Sequence, residues 1–193
     1  NIEAKAFLAL QLWSNRYNDI PITSYVAIDS ILQQVFAINP KHPSHHYRIH
    51  LWDYKDAATA VTSASVCGQT TPGIAHMWHM PGHTYSKLKR YQDAAWQQEA
   101  SARVDHAHMM RDRVMPDQIH NFAHNNEWLT RNLNYLGRVN DAVALAKNMI
   151  ELPRHPKNNT LAKPGSPIDY GKRGSASYGR NRLIETLLRY EMW

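Results

Sequence analysis

Apolar positions along the chain recur at intervals of three and four, the spacing that keeps side chains on one face of an α-helix. No stretch sustains the period-two alternation of a half-buried strand. The pattern predicts an all-α chain. Residues 1–17 and then Tyr25 to Ile38 read as the first two helices, the second closed by Asn39-Pro40 and Pro43. Further on, Leu88-Lys89-Arg90-Tyr91-Gln92-Asp93-Ala94 returns as Leu136-Gly137-Arg138-Val139-Asn140-Asp141-Ala142, with a fainter echo at Tyr54-Lys55-Asp56-Ala57. In both full copies the Asp precedes an Ala-rich amphipathic stretch, Ala94 to Ala102 or Ala142 to Ile150. Asp93 and Asp141 therefore fall near helix starts, where negative charge suits the helix dipole. Small residues let two helices approach closely, and a repeat of this kind points to stacked helical hairpins. Pro153 and Pro156 close the last of them. Residues 157–180, rich in Gly, Ser and Pro, read as a long loop, after which Arg182 to Trp193 resumes a helix with Leu183, Ile184, Leu187, Leu188 and Tyr190 as its apolar stripe.

Composition narrows the class. At 193 residues, 43% hydrophobic and 20% charged, the chain is expected to bury a core as one domain, residues 1–193. Its start at Asn1, already in helical pattern, and its stop where a partner helix should follow make it read as a piece of a longer protein. No apolar run approaches the roughly 18 residues of a membrane span, so membrane insertion is not expected. Twenty-two Lys and Arg against sixteen Asp and Glu give +6. Much of that excess sits in Lys157, Lys163, Lys172, Arg173, Arg180 and Arg182, with only Tyr170 and Tyr178 available to stack on bases. This reads as a solvated basic loop rather than a nucleic-acid surface. The single Cys67 excludes an internal disulfide and a thiolate metal site, and reads as a small buried residue. The compartment stays open between periplasm or secretion and cytoplasm. Trp13, Trp52, Trp78, Trp96, Trp128 and Trp193, at helical spacing, are expected in the core.

The chemistry lies in the histidines. Nine ligand-capable side chains form three groups with one helical spacing: His46, His50 and Asp53; His76, His79 and His83; His120, His124 and Glu127. Steps of three or four followed by seven return to within roughly 60° of the start on a helix, so each group is expected to share one face. Tyr47 occupies the place where a metalloprotease HExxH carries its Glu, which excludes that motif, and the lack of any Glu-x-x-His pair counts against a ferritin-like di-iron bundle. Pro81-Gly82 inside the second group predicts either a bend at Pro81 or a new helix beginning there. Met77 and Met80 read as gap-fillers more than as soft ligands. His106 and His108, two apart, face about 200° from each other and at most one joins the site. Asp105 is placed either to orient a ligating imidazole or to pair with Arg103 or Arg111. His42, His45 and His155, beside prolines, stay outside the set.

The helical repeat, Leu-Gly-Arg-Val-Asn-Asp-Ala with a terminating Pro153, resembles the tetratricopeptide consensus. More specifically, the run His42-Pro43, His46-Tyr47-Arg48-Ile49-His50, Pro72-Gly73, His76 to Tyr85 with His79-Met80-Pro81 and His83, and His124-Asn125 resembles a bacterial subgroup of these proteins. That subgroup carries HYxIH, HxxHMPxHxY and a later HN, and the likeness covers residues 40–155. Some relatives are joined to thioredoxin-like or redoxin domains. The resemblance implies a tetratricopeptide-like α-solenoid of antiparallel helical hairpins and a site position, but no reaction.

The expected ligands are thus His46, His50, His76, His79, His83, His120 and His124, with Asp53, Glu127, Asp105, Tyr47 and Tyr85 as further ligands or groups just outside them. Nitrogen-rich ligation without thiolate suits a transition metal, zinc or copper ahead of iron, and the donor number allows one ion or two. Ligation needs neutral imidazole, so binding is expected to weaken below about pH 6.5. Three functions follow. The first is a helical-repeat scaffold carrying a histidine-rich metal site and offering a surface to a protein partner. The others are a metal-dependent hydrolase or oxidoreductase using the same site, and a metal-free interaction module.

Overall fold

The structure, a computed structural model, describes residues 1–155 and 174–192. Among these the chain is helical throughout, with no strand. The helices are α1 (Ile2–Ser14), α2 (Tyr25–Ile38), α3 (His45–Trp52), α4 (Val61–Thr70), α5 (Ala75–Lys87), α6 (Tyr91–Asp112), α7 (His120–Tyr135), α8 (Val139–Glu151) and α9 (Ser175–Arg189). Short 3-10 turns at Asn15–Asn18, Ala57–Ala60 and Pro116–Gln118 join some of them. None of the described helices is long and apolar enough to cross a membrane.

The repeated heptapeptide is one turn used twice. After α5, Lys89 takes a left-handed backbone at φ 59°, and after α7 Gly137 does the same at φ 72°. In each copy the amide of the following Arg closes back on the helix just ended, Arg90 N–H to Tyr85 O at 2.9 Å and Arg138 N–H to Leu133 O at 3.0 Å. That Arg then reaches the Asp of the next first turn: Arg90 to Asp93 and Arg138 to Asp141 are both 2.7 Å. The sequence repeat therefore sets a common way of reversing the chain, so α5 packs on α6 and α7 on α8. Both Asp residues lie in first turns, as expected.

Leu32, Ile49, Leu51, Ala60, Ala64 and Cys67 form the centre of the apolar core, with Met77 and Met80 filling it from α5. Burial pushes the Cys67 thiol up to about 12, so it is inert. Trp13 and Trp52 are buried, but Trp96 is 57% exposed and leaves the core set, while Trp193 lies outside the described residues. Charge also ties the core. Arg48 is buried and its Nε donates to Asp29 Oδ1 at 2.6 Å, while Trp52 Nε1 donates to the same oxygen at 2.8 Å. These bonds lock α3 against α2 and fix the roll of α3.

Two expectations about the helices change. Of the two arrangements expected at Pro81, a new helix beginning there is not what forms: α5 runs through Pro81 from Ala75 to Lys87. Proline removes one amide donor, yet packing against α4 and α6 holds the turn. The last helix begins at Ser175, seven residues before Arg182, because Ala176 and Gly179 are small and buried against neighbouring helices. The loop expected to extend to residue 180 therefore ends by Gly174. Its earlier part, with Lys157, Lys163, Lys172 and Arg173, lies outside the described residues. Helix α9 packs on α8 and α7, where Asn134 Nδ2 donates to Thr186 Oγ1 at 2.8 Å and Tyr190 O–H donates to Asn134 O at 2.5 Å.

Candidate metal centre

Helices α3, α5 and α7 bring all seven expected histidines into one row. Ring centroids step from His50 to His46 at 4.6 Å, His46 to His76 at 5.0 Å, and His76 to His79 at 5.6 Å. The row continues from His79 to His83 at 4.6 Å, His79 to His124 at 4.9 Å, and His124 to His120 at 5.8 Å. The grouping is not the one read along the sequence. Two triads are placed to hold a metal ion, His46 with His50 and His76, and His79 with His83 and His124, the nitrogens of each lying within 4.8 Å of one another. Each triad draws on two helices. His120 stacks on His124 at 12° and belongs to neither.

Hydrogen bonds decide which nitrogen each ring offers. Asn125 Nδ2 donates to Gln98 O at 2.6 Å and Gln98 Nε2 faces His79 O at 3.4 Å, so both amides turn their oxygens to His79. His79 Nδ1–H donates to Gln98 Oε1 at 2.7 Å and Asn125 Oδ1 at 3.0 Å. Its Nε2 lone pair is left for a ligand. That nitrogen lies 2.7 Å from His83 Nε2, which must then carry the shared proton. A metal replacing this proton needs an N···N edge of about 3.3 Å for tetrahedral bonds of 2.0–2.1 Å, a small opening. In the other triad, Asn121 Nδ2 donates to Asp105 Oδ2 at 2.6 Å, so Asn121 Oδ1 accepts from His76 Nδ1–H at 3.2 Å and His76 Nε2 is free to ligate. His46 Nε2 is buried with no hydrogen-bond partner among the described residues, a state a cation would relieve.

An aromatic ring covers one histidine of each triad. Trp13 stacks on His50 at 4.9 Å and 25°, and Trp128 covers His83 at 4.1 Å. Arg16 lies over Trp13 and Arg131 over Trp128. From α9, Tyr178 comes to 6.3 Å from His124. Burial is the main cause that lowers His46, His50, His76, His79 and His83, and repulsion from neighbouring imidazoles adds to it. His46 falls to about 4, and His50 and His79 each to about 3; His83 and His76 are lowered as well.

The non-histidine candidates are mostly engaged elsewhere. Asp53 is buried against Lys87, Oδ1 to Nζ at 2.8 Å, so the carboxylate that completes the α3 pattern is an ion-pair partner rather than a ligand. Tyr85 belongs to the apolar core with Arg90 over its ring at 4.7 Å, which removes it from the site. Tyr47 sits beside His46 at 5.9 Å. Glu127 Oε2 is 3.6 Å from His124 Nδ1, but its other oxygen faces Arg182 at 3.7 Å and Arg131 at 3.9 Å. Asp105 acts one residue away from a ligand, through Asn121, and burial raises its carboxyl. Arg103 and Arg111 pair with Glu99 and Asp112 instead, and His108 pairs with Asp112. His45 lies flat on Phe36 at 3.8 Å and bonds Ser63, a packing role.

Sequence reasoning missed Gln98 and Asn121 as orienting residues, and Trp13 and Trp128 as covers, whereas Asn125 stood in the sequence pattern beside His124 and bonds His79. Gln98 follows His79 by nineteen residues on the next helix, and only helix pairing relates them. Gly82 leaves the space it uses: a Cβ there would stand 2.2 Å from Gln98 Nε2. No family model and no curated protein matches the chain.

Proposed function

We propose that the chain is a tetratricopeptide-like helical scaffold whose middle helices carry a histidine-only transition-metal centre, taking zinc or copper ahead of iron. The observation that carries this is the regrouping of six imidazoles from three helices into two triads with nitrogens within 4.8 Å. Packing alone does not call for it. Buried imidazoles satisfied for structural reasons spend both nitrogens on fixed partners, as His45 does with Ser63 and Pro40 O. His76 and His79 instead spend Nδ1 on an amide and turn Nε2 to other imidazoles, the arrangement by which outer partners orient metal ligands.

A second reading, a metal-dependent enzyme on the same centre, is favoured by ligand number. Three imidazoles per ion leave a tetrahedral position for water or substrate, and His46, His50 and His76 are only partly buried. Elemental analysis of the purified protein tests the first proposal, together with His79→Ala, His124→Ala and the outlying His108→Ala. Metal retained by His108→Ala and lost from the other two supports it, and equal content in all three removes it. Visible spectra of the cobalt form separate the readings: four-coordinate bands unmoved by added anions favour a closed structural site, and bands that shift favour an open one.

A further inference from the structure

The two triads meet on one helix. His76 belongs to the first and His79 to the second, and their rings lie 5.6 Å apart and 24° from parallel on successive turns of α5. Ions bonded to these two rings are therefore separated by about one helical pitch, ~5 Å. Two-metal sites that share a small ligand work at roughly 3.5–4 Å, a difference that side-chain rotation covers.

The donors are neutral, and that limits which ions suit them. The nearby carboxylates are drawn largely elsewhere: Asp53 pairs with Lys87, Asp105 accepts from Asn121, and Glu127 turns one oxygen to Arg182 and Arg131 and the other to His124 Nδ1 at 3.6 Å. Two divalent ions would place four positive charges among six imidazoles, with no carboxylate in either triad among the described residues, a heavy desolvation cost. Two cuprous ions bring half of that, and imidazole is a good copper donor.

We propose that the two triads form one dinuclear copper centre, a cuprous ion on each, and that dioxygen is the ligand it takes between them. The inference rests on the metal-binding reading above. In the binding step each copper gives one electron, dioxygen accepts both, and a peroxide dianion bridges two cupric ions. No proton is consumed, the O–O single bond stays, and release reverses the transfer. The sum of the charges on metals and bridging ligand is +2 before and after, so a pocket lined by neutral imidazoles meets no new net charge as dioxygen enters.

The test loads the metal-free protein with cuprous ion under anaerobic conditions, counts copper per chain, and then admits air. Two coppers per chain are expected, with an intense near-ultraviolet charge-transfer band in air that fades under argon, and no cupric paramagnetic signal because the two spins couple. His50→Ala and His83→Ala, with helical circular dichroism retained, should each fall to one copper and lose the band, while His108→Ala keeps both. As a second measure, independent of these substitutions, the band in air should grow more over the second cuprous equivalent per chain than over the first. One copper per chain at saturation overturns the dinuclear centre and leaves the metal site standing. Two coppers giving no band, or giving the signal of isolated cupric ions, overturn dioxygen binding in the same way. A chain that binds neither copper nor zinc removes both proposals together.

Discussion

His79 Nδ1 and Gln98 Oε1 lie 2.7 Å apart in the buried seam between α5 and α6, and the approach exists because residue 82 has no side chain. His79 is 1% exposed, so its ring is held by these contacts and not by solvent. Replacing Gly82 with Ala puts a methyl group where Gln98 sits, and the amide must swing off the imidazole. Losing an orienting partner of this kind lowers metal affinity by roughly 10–100-fold. Competition against a coloured chelator should show that drop for Gly82→Ala while circular dichroism stays helical. Unchanged affinity would remove Gln98 as an orienting group.

Asn121 plays the same part for His76, passing its bond on to Asp105. Asn121→Ala should weaken the ion held by His46, His50 and His76 by roughly 10-fold or more and leave the other ion as it was. A two-site isotherm resolves this, and equal weakening of both ions would contradict separate orientation of the two triads.

Acid should destabilise the metal-free protein through these rings. Burial lowers His46 to about 4 and His50 and His79 to about 3, so an unfolded chain takes up protons near 6.5 that the folded one refuses. Because the unfolded state binds more protons over that interval, stability is level above about pH 7 and falls as pH drops from about 6.5 toward 3–4. Metal release moves with it, to lower pH than the onset near 6.5 expected of free imidazole. Denaturant midpoints across this range are the measurement, and a midpoint constant from neutral pH down to about 4 would falsify the assignment.

Lys89 holds a left-handed backbone at φ 59° in a turn where the equivalent position of the second copy is Gly137. Lys89→Gly should stabilise the fold by about 0.5–1 kcal/mol, the conformational strain relieved less the added freedom of glycine in the unfolded chain. Thermal melts would read it, and destabilisation would mean that the Lys89 side chain has a role of its own.

Asp29 accepts from Arg48 and Trp52 at once. Asp29→Ala leaves the buried guanidinium without its carboxylate and should cost about 3–5 kcal/mol. Urea unfolding should show that loss, with metal content falling only as α3 loosens. A cost under about 1 kcal/mol would place the pair with exposed ion pairs instead.

Helix content, the doubled turn and the seven histidines were legible along the chain, because apolar spacing, Pro placement and a repeated heptapeptide are local properties. Helix α9 starts earlier than its Gly and Ser content suggests, since contact with α7 and α8 outweighs weak intrinsic propensity. Pro81 likewise sits inside a helix that its neighbours hold together. Asp53 fits the i, i+7 pattern perfectly well, yet spacing says nothing of Lys87, thirty-four residues on, which claims it.

The sequence by itself determined which rings were available and on which helical faces they stood, since periodicity within a helix is written in the order of residues. Only the tertiary structure decided the partnerships. It sorted the imidazoles into triads across α3, α5 and α7, turned Asp53 and Tyr85 away, and brought Gln98, Asn121, Asn125, Trp13 and Trp128 to the rings. The reason is physical: a ligand set is defined by distances of a few ångströms between side chains far apart in sequence, and those distances follow from how helices roll and pack.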